Sequence, residues 1–163
     1  MAVEDHTEGR QVHAYTRAYL AGLIDGDGSI MLQLKPRTNS KFGIRVKTTL
    51  VIYQDSKMIK EMEWLQQELG AGYIYERNDH IIEIRIEGHQ RVKETLAILK
   101  PYIRFKKKQV TLILKAIKIL QHGINFKKDL LLVADLADQI ASCNYKSSTR
   151  KYTKEYVMQH VSP

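Results

Sequence analysis

The sequence predicts an α+β fold with the element order α-β-β-α-β-β-α, built on a four-stranded antiparallel sheet and followed by additional C-terminal helices. Three observations predict it. Two pairs of segments alternate apolar and polar residues with a period of two, the segments around them repeat apolar residues every three to four positions, and the links within each strand pair are short enough for hairpins. A length of 163 residues with 44% hydrophobic and 27% charged residues suits one soluble domain with a real core. Residues 13–163 therefore read as a single domain. Residues 1–12 read as a flexible N-terminal tail, polar and mildly acidic, without the basic and apolar regions of a secretory signal.

The first helix carries a chemical oddity. Ala14, Ala18, Gly22 and Gly26 fall four residues apart and make one stripe of residues with almost no side chain, flanked by Ala21 and Asp25. Tyr19, Leu20, Leu23 and Ile24 form the face expected to bury. An interior glycine costs a helix about 1 kcal/mol relative to alanine, so the stripe implies close approach of a second backbone. Asp25 and Asp27 then lie at the negative end of the helix dipole, where acids are disfavoured. Two copies of this helix packed along the stripe would bring four carboxylates together, a repulsion that bound cations relieve. Asp-Gly turn chemistry stopping a helix is the plain alternative. A calcium loop starting at Asp25 does not fit, because its sixth position is Ile30 rather than glycine and its twelfth is Pro36 rather than glutamate.

Strands follow at once. From Ser29 to Arg37, Ile30, Leu32 and Leu34 point one way and Gln33, Lys35 and Arg37 the other; Asn39-Ser40 suits a hairpin loop. From Ile44 to Tyr53, Ile44, Val46, Leu50 and Ile52 face in, while Arg45, Lys47, Thr49, Val51 and Tyr53 face out. The second hairpin sets Tyr73, Tyr75 and Arg77 outward, turns at Asn78-Asp79, and returns with Ile82, Ile84 and Ile86 inward and Glu83 and Arg85 outward. One face of the sheet is therefore apolar and the other polar and basic. Between the hairpins, Ser56 can cap a helix running to Leu69 and ended by Gly70, with Met58, Ile59, Met62, Leu65 and Leu69 on one face. Val92, Leu96 and Leu99 mark the next helix, closed by Pro101. Val110 to Leu120 and Leu130 to Ala141 give two more that can cover the apolar side, and Tyr152 to His160 a short last one.

The net charge is +8, and its distribution is informative. Gly28 to Gln54, Lys100 to Lys128 and Asn144 to Lys154 contain no acid, and the second block alone holds nine lysines and arginines. Acid-free basic blocks in one domain point to a polyanion, with a solvated basic face as the alternative. The outward residues Gln33, Lys35, Arg37, Arg45, Lys47, Thr49, Tyr75, Arg77 and Arg85 are of types that read base edges, and a two-stranded ribbon fits a major groove. Ser148, Arg150 and Lys151 read as backbone clamps. One cysteine, Cys143, excludes an intramolecular disulfide and a cysteine-based zinc site, and the six histidines lack metal-ligand spacing. No run reaches the 18 or so apolar residues of a membrane span.

Leu20-Ala21-Gly22-Leu23-Ile24-Asp25-Gly26-Asp27-Gly28 resembles the signature of the LAGLIDADG homing endonucleases, with Gly26 in place of the motif's alanine. Leu132 to Asp138 is only superficially similar and lacks the glycine, so the chain holds one motif, which the resemblance associates with the homodimeric, intron-encoded branch. By contrast, Gly72-Tyr73-Ile74-Tyr75 is similar to a fragment of the GIY-YIG nucleases without their second half, and reads as a strand.

The resemblance implies a saddle-shaped DNA-binding sheet and site-specific double-strand cleavage of a long pseudo-palindromic target by metal-dependent phosphodiester hydrolysis. It implies two or more Mg²⁺ ions at the dimer axis, with Mn²⁺ or Ca²⁺ able to substitute in binding, and no small-molecule cofactor. Asp27 and the carbonyl of Gly26 would hold metal, Gln54 would orient solvent, and Lys106 would stabilise the phosphate or polarise water. The family places Arg or Lys four residues after the glutamine, whereas here that residue is Met58, so Lys57, or alternatively Lys60, is assigned the role. Ala18, Ala21, Gly22 and Asp25 would form the dimer interface, Asp25 by stabilising the paired helix ends. An RNA-splicing maturase or a non-catalytic DNA- or RNA-binding protein of the same fold is the alternative function. An intracellular location follows in either case, in an organelle (chloroplast or mitochondrion) or in microbial cytoplasm.

Overall fold

Helix α1 (Thr7–Asp27) runs without a linker into strand β1 (Gly28–Pro36), and Gly28 is the joint. A Cβ on Gly28 would lie 2.7 Å from both the Cα and the carbonyl oxygen of Ile24, so only glycine lets the chain turn this tightly out of the helix. The computed structural model describes residues 7–144 and 150–162, with side chains from Ala14 onward. Helix α1 starts at Thr7, inside the stretch expected to be tail.

Strand β1 pairs antiparallel with β2 (Ile44–Asp55), a short helix-bearing segment follows, and β3 (Tyr73–Glu76) and β4 (Ile81–Glu87) form the second hairpin. The sheet order is β1-β2-β4-β3, all neighbours antiparallel, as the two hairpins predict. The inward and outward parities hold throughout, with Ile30, Leu50 and Ile86 in one inward row and Ile52, Ile84 and Ile74 in the next. Parity does not equal exposure, however. Thr49 and Val51 face outward yet are 3% and 1% exposed, because β2 is a central strand whose outward side chains are flanked from both sides, Thr49 by Met31 and Glu87 and Val51 by Ser29 and Arg85.

Helix α2 (Ile59–Leu69) follows a single 3-10 turn, Ser56–Met58, and ends at Gly70 with φ of 64° in the left-handed region. The cap is Asp55, whose carboxylate accepts from the Lys57 amide at 2.9 Å, rather than Ser56. Met62 and Leu65 are buried; Met58 and Ile59 are exposed because the 3-10 turn breaks the helical phase that grouped them with the apolar face. Helix α3 (His89–Leu99) buries Val92, Leu96 and Leu99 as expected. Helices α4 (Lys107–Gln121) and α5 (Lys127–Cys143) pack on each other and on β1, and α6 (Lys154–His160) rests on α5. One contiguous core joins the sheet's inner face, α1 and these helices. Among the described residues no helix is long and apolar enough to cross a membrane.

Candidate active site and nucleic-acid interface

The two acids at the end of α1 have different fates. Asp25 is buried, and its carboxylate accepts the Arg104 amide at 2.6 Å and the Lys106 amide at 3.0 Å. It thereby pins the segment between α3 and α4 against the end of α1. This corrects the placement of Asp25 at a dimer interface, since a helix advances about 100° per residue and position 25 points to the chain's own interior. Ala21, one turn earlier, is likewise fully buried and contacts the core rather than a free surface. Ala18, Gly22 and Gly26 remain exposed, together with Tyr19, which was expected to bury.

Asp27 is exposed, at the mouth of a cleft of about 910 Å³. Antiparallel pairing sets Gly28 opposite Ile52, so the end of β2 returns to the end of α1 and the Gln54 amide donates to Asp27 Oδ2 at 3.0 Å. Lys106 enters from the other side. Its ammonium donates to the Asp25 carbonyl at 2.5 Å, and burial pushes it below its ordinary pKa against the opposing pull of Asp25 and Asp27. Asp27, Gly26, Gln54 and Lys106 all line this cleft. Three stretches far apart in sequence are thus brought together.

Lys57, Met58 and Lys60 do not line it, because the chain turns away at the capped Asp55, so the assignment of Lys57 to catalysis is not supported by position. Ser29, Met31, Tyr53, Gln109, Cys143 and Asn144 do, and the sequence reading missed them. Outward strand parity was a usable signal for Ser29, Met31 and Tyr53; nothing local marked the last three, which arrive on α4 and at the end of α5.

Among the groups lining the cleft, the Asp27 carboxylate, which takes the Gln54 amide on Oδ2, and the Gly26 carbonyl are oxygen donors, which suits a hard divalent cation rather than zinc. Asp25 is not available, as its oxygens are taken by amides. Among the described residues no cluster of three or more His, Cys, Asp or Glu could hold a metal ion.

On the outward face of the sheet, Lys35, Arg37 and Arg45 are exposed, Gln33 and Lys47 are half-buried, and Lys35 stands opposite Arg45 in register. Thr49 is corrected to a floor position: its hydroxyl is buried and has no partner among the described residues. Lys47 lies 2.6 Å from Glu87 as an ion pair rather than an aligned hydrogen bond. Tyr75 is exposed, while Arg77 and Arg85 both reach the carboxylate of Glu83, which holds the Arg85 guanidinium above its ordinary pKa. Arg150, read from the sequence as a backbone clamp, is bound to Asp138 at 2.6 Å and ties the segment before α6 to α5. Lys151 is exposed and shares a groove with Gln33 and Lys35; Ser148 lies outside the described residues.

The profile of the LAGLIDADG endonuclease family matches residues 20–120, from the start of the acidic motif to the end of α4. The chain belongs to this family. It is 34% identical to DNA endonuclease I-CreI of Chlamydomonas reinhardtii over 139 residues, 85% of this chain and 84% of that protein. It is 32% identical to DNA endonuclease I-CvuI of Chlorella vulgaris over 126 residues, 76% of each. The crystal structure of I-CvuI with its target in the presence of 2 mM Ca superposes with a TM-score of 0.87 at 28% identity, covering 92% of this chain and 94% of that one. The intron-encoded I-CeuI bound to DNA shares the fold with a TM-score of 0.79, covering 90% of this chain and 76% of that one at 16% identity. The mixed helix and strand architecture with its open antiparallel sheet is thus that of the LAGLIDADG endonucleases.

Proposed function

We propose that this chain is a site-specific homing endonuclease that cleaves both strands of a long pseudo-palindromic DNA target by metal-dependent hydrolysis, acting as a homodimer. The observation that carries the reading is the convergence of Asp27, Gln54 and Lys106 in one cleft at the edge of a sheet whose outer face is basic. Intact catalytic-type residues favour a nuclease over a binding protein of the same fold.

Two features support self-association. Added Cβ atoms on Gly22 and Gly26 would meet nothing within 4 Å, so nothing in the chain itself demands glycine there, whereas close approach of a second backbone does. Each chain also offers an exposed acid, Asp27, to a centre that needs more. Pairing at the α1 stripe would set two Asp27 carboxylates side by side and lay two sheets along successive stretches of major groove.

In this reading Asp27 and the Gly26 carbonyl hold the cation. When bound, Mg²⁺ supplies charge stabilisation for the attacking and leaving oxygens of an in-line displacement. The Gln54 amide fixes the orientation of the Asp27 carboxylate and stands where it can align solvent. Lys106, its amide and ammonium both anchored at Asp25, presents a fixed positive charge to the phosphate. I-CvuI is seen bound to its target DNA with 2 mM Ca, and to the I-CreI target, uncleaved, with 2 mM Mg, which supports DNA binding in the presence of a divalent metal.

The test is incubation with Mg²⁺ and a plasmid pool carrying randomised duplex sites. One sequence class should be linearised by the wild type, whereas Asp27→Asn should retain binding to it without cutting. Absence of cleavage across the pool with Mg²⁺ or Mn²⁺ would overturn the nuclease reading.

A further inference from the structure

A buried acid stands in the middle of the sheet face assigned to DNA. Glu83 is 1% exposed, yet it points outward, between Tyr53 of β2 and Tyr75 of β3 in register. A carboxylate withdrawn from water is costly unless paired, so its partners define it. Arg77 Nη1 donates to it at 3.3 Å and Arg85 Nε at 2.5 Å. Both guanidiniums are held a second time, Arg77 by Asp79 at 2.7 Å and Arg85 over the Tyr75 ring at 4.9 Å. Their side chains remain 43% and 33% exposed, so N–H groups not spent on Glu83 still face outward. At the other end of the face the situation reverses: Lys35, Arg37 and Arg45 are exposed and have no acid within ion-pair distance among the described residues.

We propose that Glu83 divides the DNA-facing surface into two halves with different tasks, fixing Arg77 and Arg85 as oriented base readers whose charge is already compensated, while Lys35, Arg37 and Arg45 supply the attraction to phosphate. This rests on the DNA-binding reading above. A compensated guanidinium displaces few counterions when it meets DNA, so it adds little to affinity for an arbitrary duplex. Held in a fixed direction by two contacts, it can still donate to a base edge and reject the wrong one. The carboxylate beneath also repels any phosphate that approaches in a misaligned complex. Glu83 is thus a positioning residue and a determinant of specificity, and it acts by lowering indiscriminate binding.

The experiment measures binding of the full chain to a randomised 30-base-pair duplex pool (~30 pairs, several helical turns) and to the duplex that the wild type selects from it, across a series of KCl concentrations. Glu83→Gln should bind the pool more tightly, steepen the salt dependence by about 0.9 for the one arginine it releases, Arg85, since Arg77 stays paired with Asp79, and lower the selected-to-random affinity ratio by roughly tenfold. The double variant Glu83→Gln/Arg85→Gln removes an ion pair as a unit and leaves no buried charge unpaired by its loss, so it keeps the inference open to test where the single variant does not fold. It should retain the wild-type salt slope on the pool while losing discrimination. Arg45→Gln should do the opposite, with a shallower slope and an unchanged ratio. Equal slopes and ratios in wild type, single and double variants, or loss of slope in the double variant equal to that in Arg45→Gln, would overturn the inference alone. A wild type that selects no duplex would overturn the DNA-binding reading beneath it and this inference with it.

Discussion

At the scale of single residues, two acids two positions apart do different work because a helix turns between them. Asp25 organises protein: it holds the amides of Arg104 and Lys106, and through them the position of Lys106 in the cleft. Asp27 instead stays exposed, with the Gln54 amide on its Oδ2. Asp25→Ala should therefore act at a distance, misplacing Lys106, with a loss in cleavage rate of about 10²-fold and destabilisation of about 1–3 kcal/mol from the unsatisfied amides. Lys106→Met should slow cleavage by a similar factor while leaving the folding midpoint in urea close to wild type; equal loss of stability would assign the lysine to structure instead. Gly28 gives a sharper case. Its Cβ position is filled by the backbone of Ile24, so Gly28→Ala should cost on the order of 1–3 kcal/mol, the usual toll of overpacking.

Elements show where a pattern read in sequence carries over and where it fails. Strand parity survives intact, because backbone hydrogen bonds fix alternation regardless of context. Exposure does not, since it depends on neighbours in the sheet: Thr49 and Glu83 face outward and are buried all the same. In α1 the glycine stripe sits on the exposed side. Gly22→Ala should raise helix stability in the isolated chain by about 0.5–1 kcal/mol while weakening self-association, a divergence that thermal unfolding and sedimentation equilibrium can separate. At the start of α3, His89 Nδ1 lies 3.0 Å from the Thr48 hydroxyl, and burial holds its pKa below the ordinary value. The unfolded chain therefore binds this proton more readily. The associated stability is present in full above about pH 6.5 and is lost as pH falls from there through the lower folded value. His89→Gln should flatten that segment of a stability curve measured between pH 7.5 and pH 5 (~5–7.5, the range in which histidine titrates).

For the whole molecule, the sheet is at once wall and tool. Its inner face closes the core, with Leu50, Ile82 and Ile84 fully buried, and its outer face gathers the groups assigned to DNA. Core and interface share strands, so damage to one reaches the other. Ile84→Ala should cost about 2–5 kcal/mol and reduce binding and cleavage together, whereas Arg45→Gln should spare the urea midpoint and weaken binding alone. By itself the sequence determined the element order, the pairing of the hairpins and the face each strand residue takes, and it singled out Asp27, Gln54 and Lys106, which the fold brings to one cleft. These rest on local periodicity and on a motif contiguous in the chain. Only the tertiary structure decided that Asp25 and Ala21 turn inward, that Lys57 lies beyond the cleft, that Arg150 answers to Asp138, and that Glu83 holds two arginines. Each of these depends on which distant segment packs alongside, and burial and ion pairing are properties of neighbours in space that residue spacing along the chain does not encode.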